Sequence, residues 1–203
     1  MWVVKIGGSL CGDPLLPDWL RLLGQLGGGR IALVCGGGTL ADEVRQLQAR
    51  WDTDDLSAHN MAVLSMVQTA YLFNSLNPDL RLVSREADIG PTLRRGGVAL
   101  WQPLELLRHQ PDPATNWQHT SDSIALALAR RLNAERLVLV KSCPIDPGLD
   151  VDQLVRADVL DNGFAPLARQ AGLPIDVLSR DEGDGLRELL LYGQRGVGLG
   201  QPH

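Results

Sequence analysis

Residues 3–10 read VVKIGGSL and place a lysine inside an apolar stretch that ends in two glycines. The valines and isoleucine are typical of a β-strand that is covered on both faces. Glycines after such a strand let backbone N–H groups approach an oxyanion, because no Cβ atom stands in the way. A tight turn, with a lysine whose stem lies along apolar surface, accounts for the same letters equally well. The stretch alone leaves the phosphate cradle and the plain turn open.

A second strand-and-glycine unit follows at residues 31–35, IALVC, which Gly36, Gly37 and Gly38 extend into a predicted helix capped by Thr39. Free N–H groups at the start of a helix favour a phosphate there. The letters GGGTLA also fit the G-x-G-x-x-A fingerprint of dinucleotide-binding proteins. That fingerprint requires a second strand that ends in Asp or Glu about 20 residues later. Here the polar segment RWDTDD leads into a long helix instead, so the dinucleotide interpretation loses its second half.

Strands and helices alternate along the rest of the chain. Apolar runs predict strands at 2–6, 31–35, 80–84, 98–103, 136–142 and 173–179. Helical spacing predicts helices at 14–26, 39–51, an amphipathic one at 55–76, then 123–134, a turn after 151, 162–172 and 183–193. The glycine-containing segment 194–203 is expected either to fray or to form a short edge strand. This alternation predicts an α/β fold, with a mainly parallel sheet between helices on both faces.

Composition narrows the class of protein. The 203 residues suit one domain with a substantial core. A net charge of −5 and a pI near 5.3 argue against nucleic acid as the main partner. The three cysteines are widely spaced, which argues against a disulfide framework and against a structural zinc site. No signal peptide is visible, and no apolar run reaches the ~18 residues of a membrane span, so we expect a cytoplasmic protein without a membrane partner.

Two more motifs carry chemistry when they are taken together with the glycine loops. The letters TSDS at 120–123 place Asp122 at the start of a helix, where Thr120 or Ser121 could cap and where an acidic residue ordinarily stabilises the dipole. The run LVLVKS at 137–142 ends a buried strand with Lys141. Ligands of α/β sheets bind beyond the carboxyl ends of strands, and buried lysines require a partner. Two glycine loops, two lysines and one aspartate therefore predict a phosphate site suited to phosphoryl transfer.

In this order, the motifs K-x-G-G-S, V-x-G-G-G, T-S-D-S and L-V-L-V-K-S resemble the amino acid kinase family over roughly residues 2–180. That family includes acetylglutamate, aspartate, uridylate and isopentenyl phosphate kinases. The resemblance implies a three-layer αβα sandwich, ATP with Mg²⁺, and transfer of the γ-phosphoryl group to a phosphate or carboxylate. A non-catalytic protein of the same fold that binds a nucleotide or an oxyanion is the alternative.

The resemblance also implies roles for single residues. Lys5 and Lys141 would contact the phosphates and Asp122 would organise them, with no protein residue assigned to a metal. The phosphate and ATP contacts would be Gly7, Gly8, Ser9, Ser142 and Ser179, with adenine expected around 142–150. The acceptor contacts would be Gly36, Gly37, Gly38, His59, Asn60, Trp117 and His119. For His59 and His119 the plainer interpretation is a surface or capping histidine. For Trp117 it is a residue of the hydrophobic core.

The stretch NWQHTSDSIA at 116–125 most resembles the branch of the family linked to one-carbon cofactor biosynthesis. That branch includes the kinase acting on an aminomethylfuran methyl phosphate on the way to methanofuran. By this resemblance, residues 1–203 form a single domain whose acceptor side is mainly the N-terminal half and whose nucleotide side is mainly 120–203. A small anionic substrate and a homodimer or larger homo-oligomer are the expected partners.

Overall fold

Six parallel strands form the central sheet of the protein. The computed structural model describes residues 1–193, so the predicted behaviour of 194–203 lies outside the described residues. The strands are β1 (Trp2–Ile6), β2 (Ile31–Cys35), β3 (Leu80–Val83), β4 (Val98–Trp101), β5 (Arg136–Lys141) and β6 (Ile175–Ser179). They lie in the order β3-β4-β2-β1-β5-β6, and each neighbouring pair is parallel. The carboxyl ends of β1, β2 and β5 therefore meet at the middle of one sheet edge.

Burial explains why these stretches are strands. Every residue of β2 is buried, and so are all residues of β1 except its first. Such continuous apolar runs belong to parallel strands that have helices on both faces. Register places Lys5 of β1 beside Val34 of β2 and Leu139 of β5, so this lysine lies in the interior of the sheet.

Helices cover both faces of the sheet. They are α1 (Leu16–Leu26), α2 (Gly38–Trp51), α3 (Asp55–Leu76), α4 (Ile89–Arg94), α5 (Ser121–Arg131), α6 (Val151–Arg156), α7 (Phe164–Arg169) and α8 (Gly183–Tyr192). One core cluster contains Trp19 of α1, Phe73 of α3 and Leu186 of α8, whereas the other contains Leu126 of α5 and Phe164 of α7. The predicted three-layer αβα sandwich is confirmed.

Helix α3 differs from the predicted amphipathic helix. Its 22 residues bury Val63 and Phe73 but also expose Leu64, Tyr71 and Leu72, so apolar side chains lie on both of its sides. It follows α2 directly, and the strand that a dinucleotide fingerprint requires after its glycines is absent from that position. Among residues 1–193, no helix is both long and apolar enough to cross a membrane.

The short helix α4 was not predicted. Gly90 and Pro91 lie in its first turn, and both residues are usually signs of a break. Proline is tolerated there because the first N–H groups of a helix have no partner inside the helix. Four predicted strands also run longer in the sequence than in the structure: 80–84, 98–103, 136–142 and 173–179.

Candidate active site

Three charged side chains meet where β1, β5 and the start of α5 come together. The Nζ atom of Lys5 lies 2.6 Å from Oδ1 of Asp122, and Nζ of Lys141 lies 2.7 Å from Oδ2 of the same carboxylate. The Lys5 and Asp122 side chains are 4% and 3% exposed, whereas Lys141 is 16% exposed. Because one carboxylate faces two ammonium groups, the cluster keeps an excess positive charge.

Burial and charge oppose each other in this cluster. Burial lowers the pKa of the Lys5 ammonium below its ordinary value, although Asp122 opposes this effect. Burial alone would raise the pKa of the Asp122 carboxyl, but Lys5 and Lys141 outweigh it and the pKa lies below its usual range. Asp122 is therefore ionised at neutral pH and can hold both lysines.

Lysine is used nowhere else in the chain. The 19 Lys and Arg residues include only two lysines, and both of them contact Asp122. A lysine ammonium is a compact point charge with rotatable donors, whereas the arginine guanidinium is a planar fork. The structure thus places its two compact cations at one carboxylate.

The two glycine loops pack directly against each other. A Cβ atom on Gly8 would lie 2.1 Å from the backbone nitrogen of Gly38, which no real contact permits. Gly38 itself has φ of +57°, a conformation that favours glycine. The Gly7 N–H donates to the carbonyl of Val140 at 2.8 Å, which ties the first loop to β5. Backbone atoms, rather than side chains, therefore form this part of the site.

Asp161 holds the first turn of α5, and the sequence prediction missed it. Its carboxylate accepts hydrogen bonds from the backbone N–H of Thr120 and of Ser123, each at 3.0 Å. The hydroxyl groups of the same two residues also donate to Asp161. This turn carries Asp122, so Asp161 fixes the carboxylate that pairs with the lysines. The sequence gives one indication of this contact: Thr120 and Ser123 carry hydroxyl groups that can donate to an acceptor elsewhere in the chain.

Two predicted helix caps are wrong. Thr120 occupies the N-cap position of α5, but its side chain makes no capping hydrogen bond, because its hydroxyl donates to Asp161; Ser121 is already the first residue of the helix. Helix α2 begins at Gly38 after Gly37, so Thr39 lies inside the helix and does not cap it. At the start of α5 the N–H groups of Thr120 and Ser123 donate to the carboxylate of Asp161.

A cleft of about 240 Å³ opens above the three charged residues. Eleven predicted site residues line it: Lys5, Gly7, Gly8, Ser9, Gly37, Gly38, His59, Trp117, His119, Asp122 and Lys141. We call the Lys5, Asp122 and Lys141 cluster with the two glycine loops the floor of the cleft. We call the side chains of Asp42, Arg45, Asp55, His59 and Trp117 its outer wall.

Four predicted residues do not line the cleft. Gly36 lies beneath it, packed against Gly8. The Asn60 side chain donates to the carbonyl of Arg108 and accepts from its N–H, both at 2.9 Å, and so anchors the loop after β4. Ser142 and Ser179, expected on the nucleotide side, are described next.

The predicted nucleotide side lies along the ends of β5 and β6. The hydroxyl groups of Ser9 and Ser142 are 2.8 Å apart, so the first glycine loop and the end of β5 are in contact. The Ser179 N–H donates to the carboxylate of Glu182 at 2.7 Å. Asp146 accepts from the N–H of Gly148, which forms the turn within 142–150.

The outer wall is built from side-chain contacts. The Nε1–H of Trp117 donates to Oε1 of Gln48 at 2.6 Å, and the Arg45 guanidinium lies 4.3 Å from the Trp117 ring centroid. Nε2 of His59 lies 3.0 Å from the carbonyl of Leu106, and burial lowers the pKa of this histidine. His59 is thus neutral at neutral pH and donates that hydrogen bond.

Sequence reasoning also missed the carboxylates of the outer wall. Asp42 pairs with Arg45 at 2.7 Å, and Nε2 of Gln48 donates to Asp55 at 2.9 Å. The segment RWDTDD was interpreted as merely polar. Its one usable signal was Asp54, whose side chain caps α3 through the N–H of Ser57 and so places Asp55 in the first helical turn.

Known proteins of the same fold share this architecture. The structure superimposes on the uridylate kinase of Archaeoglobus fulgidus with a TM-score of 0.69 at 16% identity, over 96% of both chains. It matches the UMP kinase of Bacillus anthracis with a TM-score of 0.71 at 18% identity, over 96% of this chain and 92% of that one. These likenesses establish the fold alone.

Sequence comparison identifies the family as well as the fold. A curated relative, the [5-(aminomethyl)furan-3-yl]methyl phosphate kinase of Methanocaldococcus jannaschii, is 24% identical over 141 residues. The match covers 68% of this chain and 64% of the relative's length. The names of the relative and of the matching family both point to a phosphotransferase. The sequence model of the amino acid kinase family matches residues 1–144, and with this match over most of its length the chain belongs to that family.

Proposed function

We propose that the protein is an ATP-dependent kinase that transfers the γ-phosphoryl group to the phosphate of a small anionic acceptor. The observation that carries the proposal is the floor of the cleft, where Asp122 holds the ammonium groups of Lys5 and Lys141 beside two interlocked glycine loops. Phosphoryl transfer depends mostly on positioning and on stabilising charge. The floor supplies both.

The floor fits the phosphates of a nucleotide. Glycines without Cβ atoms, the start of α2 and two ammonium groups together suit a multiply charged oxyanion. Within residues 1–193, no group of three His, Cys, Asp or Glu side chains is placed to hold a metal ion, and Asp122 already pairs with two lysines. We therefore expect Mg²⁺ to be held by phosphate oxygens and water, where it would neutralise part of their charge.

Each charged residue has a distinct task in this proposal. Lys5 is fixed in β1 and buried, so it offers a cation that moves little when charge develops. Lys141 is more exposed and stabilises the transferring group from the opposite side of Asp122. Asp122 keeps both ammonium groups in place. An acceptor that is already an anion needs no general base, so the histidines have no proton to take.

In this proposal the two substrates bind to different sides of the cleft. We assign the acceptor mainly to the N-terminal half, through Gly37 and Gly38 and the outer wall. The nucleotide goes mainly to residues 120–203, with Ser9, Ser142 and Ser179 near its phosphates and base. Residues 1–203 then act as one domain.

The acceptor we propose is an aminomethylfuran methyl phosphate, which would be converted to its diphosphate for a methanofuran-type cofactor. Support comes from the curated relative, whose name specifies [5-(aminomethyl)furan-3-yl]methyl phosphate. A planar ring also suits a cleft of about 240 Å³ with Trp117 in its wall.

The test is release of ADP that depends on an added acceptor. Purified protein is incubated with ATP, Mg²⁺ and [5-(aminomethyl)furan-3-yl]methyl phosphate, and the product is identified by phosphorus NMR. We expect a diphosphate and one ADP for each acceptor consumed. Binding of ATP without ADP release, across this and other phosphate and carboxylate acceptors, would instead identify a non-catalytic nucleotide-binding protein.

The proposal includes a homodimer or larger homo-oligomer. Its support is the exposed apolar face of α3, formed by Leu64, Tyr71 and Leu72, which a second copy would cover. Sedimentation velocity on the wild type and on Tyr71→Glu measures the assembly. We expect the variant to sediment as a smaller species, and a wild-type monomer would contradict this part.

A further inference from the structure

The charges that line the cleft balance in pairs except at two places. On the floor, Asp122 faces both Lys5 and Lys141, so one positive charge is left over. On the outer wall, Asp42 pairs with Arg45. The remaining charge belongs to Asp55, whose carboxylate makes no ion pair within residues 1–193. The cleft therefore has an excess cation at its floor and an excess anion on its outer wall.

Asp55 is held in a defined orientation. Gln48 of α2 donates from Nε2 to Asp55 and accepts from the Trp117 indole through Oε1, at 2.9 and 2.6 Å. These two hydrogen bonds join a carboxylate, an amide and an aromatic ring in one chain of contacts. Only one carboxylate oxygen accepts from Gln48, so the other is available to a ligand. The Arg45 guanidinium, 4.3 Å from the Trp117 ring centroid, steadies the same ring.

We propose that Asp55 binds a cationic group of the acceptor, so that the true substrate carries a phosphate at one end and an ammonium group at the other. This inference rests on the proposed kinase function and names the residue that selects among acceptors. The anionic end faces the lysines and the cationic end faces Asp55. A neutral acceptor of the same shape would lack the ion pair with Asp55 and would therefore bind more weakly.

The experiment compares two acceptors on three proteins. The acceptors are [5-(aminomethyl)furan-3-yl]methyl phosphate and the analogue in which methyl replaces aminomethyl. The proteins are the wild type, Asp55→Asn and Asp54→Asn. We expect the wild type to favour the amine by about tenfold in kcat/KM, and Asp55→Asn to abolish that preference through KM with kcat nearly unchanged.

Asp54→Asn is the matched control. It removes the same charge from the neighbouring position, which does not line the cleft, and asparagine caps a helix as well as aspartate does. We expect it to keep the preference for the amine. An equal loss of preference in both variants would show a general field effect and overturn the assignment of Asp55.

Calorimetric binding of both acceptors, without ATP, separates this inference from the proposed function. If no ADP is released but Asp55→Asn still loses affinity for the amine alone, the kinase proposal fails and the Asp55 site stands. If the wild type releases ADP but treats both acceptors alike, the Asp55 site fails and the kinase proposal stands. If neither acceptor binds, the site is overturned as well.

Discussion

The floor and the outer wall of the cleft are built in different ways. The floor consists of backbone packed against backbone, with Lys5 and Asp122 almost fully buried. The outer wall consists of long side chains on α2, α3 and the loop before α5, and its carboxylates are exposed. A buried charge cluster leaves few alternative positions, whereas exposed side chains can be exchanged at small cost. This difference matches the proposed division of roles, in which the floor performs the chemistry and the outer wall selects the acceptor.

Removal of the Lys141 ammonium should give the largest effect. Lys141→Met keeps the length of the side chain but removes the charge, so we expect kcat to fall on the order of 10³-fold. Lys5 still pairs with Asp122, so the fold should survive. Initial rates of ADP release and a thermal unfolding curve measure the two quantities. A wild-type rate in a folded variant would remove Lys141 from the chemistry.

A methyl group in the interlocked loops should cost stability. In Gly8→Ala the new Cβ would meet the backbone nitrogen of Gly38 at 2.1 Å, so the backbone of one loop would have to shift. We expect a loss of about 3 kcal/mol in the free energy of unfolding by urea. Gly12→Ala, in the same loop but with no atom within 4 Å of its Cβ, is the control and should change little. Equal stability of the two variants would contradict the interlock.

Weakening the contact of Asp161 with the first turn of α5 should have a smaller effect on kcat. Asp161→Asn keeps the shape of the side chain but places an NH₂ group among four donors from Thr120 and Ser123. We expect kcat to fall about tenfold, because Asp122 is then held less firmly. Asp158→Asn is the matched control: the residue is exposed, and asparagine tolerates its φ of 56°. If both variants keep the wild-type kcat, Asp161 does not position Asp122.

The stability of the folded protein should depend weakly on pH through His59 in the outer wall. Burial lowers the pKa of His59 in the folded protein, so the unfolded chain binds the proton more readily. The corresponding stability is complete above the unfolded pKa of about 6.5 and is lost as pH falls below it. The free energy of unfolding should therefore drop more for the wild type than for His59→Gln between about pH 7 and about pH 5. Parallel pH profiles would contradict this.

Much of the floor could be predicted from the sequence. Lys5 and Lys141 each follow an apolar run, and parallel strands bring their carboxyl ends to one edge, so their meeting with Asp122 followed from local pattern and topology. The hydrogen bonds from the first turn of α5 to Asp161 could not be predicted, because they join residues about 40 positions apart in the sequence. The expected caps at Thr39 and Thr120 fail for different reasons. Helix α2 begins one residue before Thr39, at Gly38, and the Thr120 hydroxyl donates to the carboxylate of Asp161.

The outer wall was harder to predict for a related reason. Trp117 and His59 were expected near the acceptor, but the bridge of Gln48 to Asp55 joins two helices through long, exposed side chains. Neither hydrophobic spacing nor any glycine pattern marks such a contact.

The restriction of lysine to this one carboxylate makes the active site visible to spectroscopy. Protein grown with isotope-labelled lysine carries only two labelled side chains, and both ammonium groups contact Asp122. An NMR spectrum of that sample would resolve the charge state of the floor of the cleft without assignment of the remaining residues. The protein thus carries two natural reporters at the floor of its cleft.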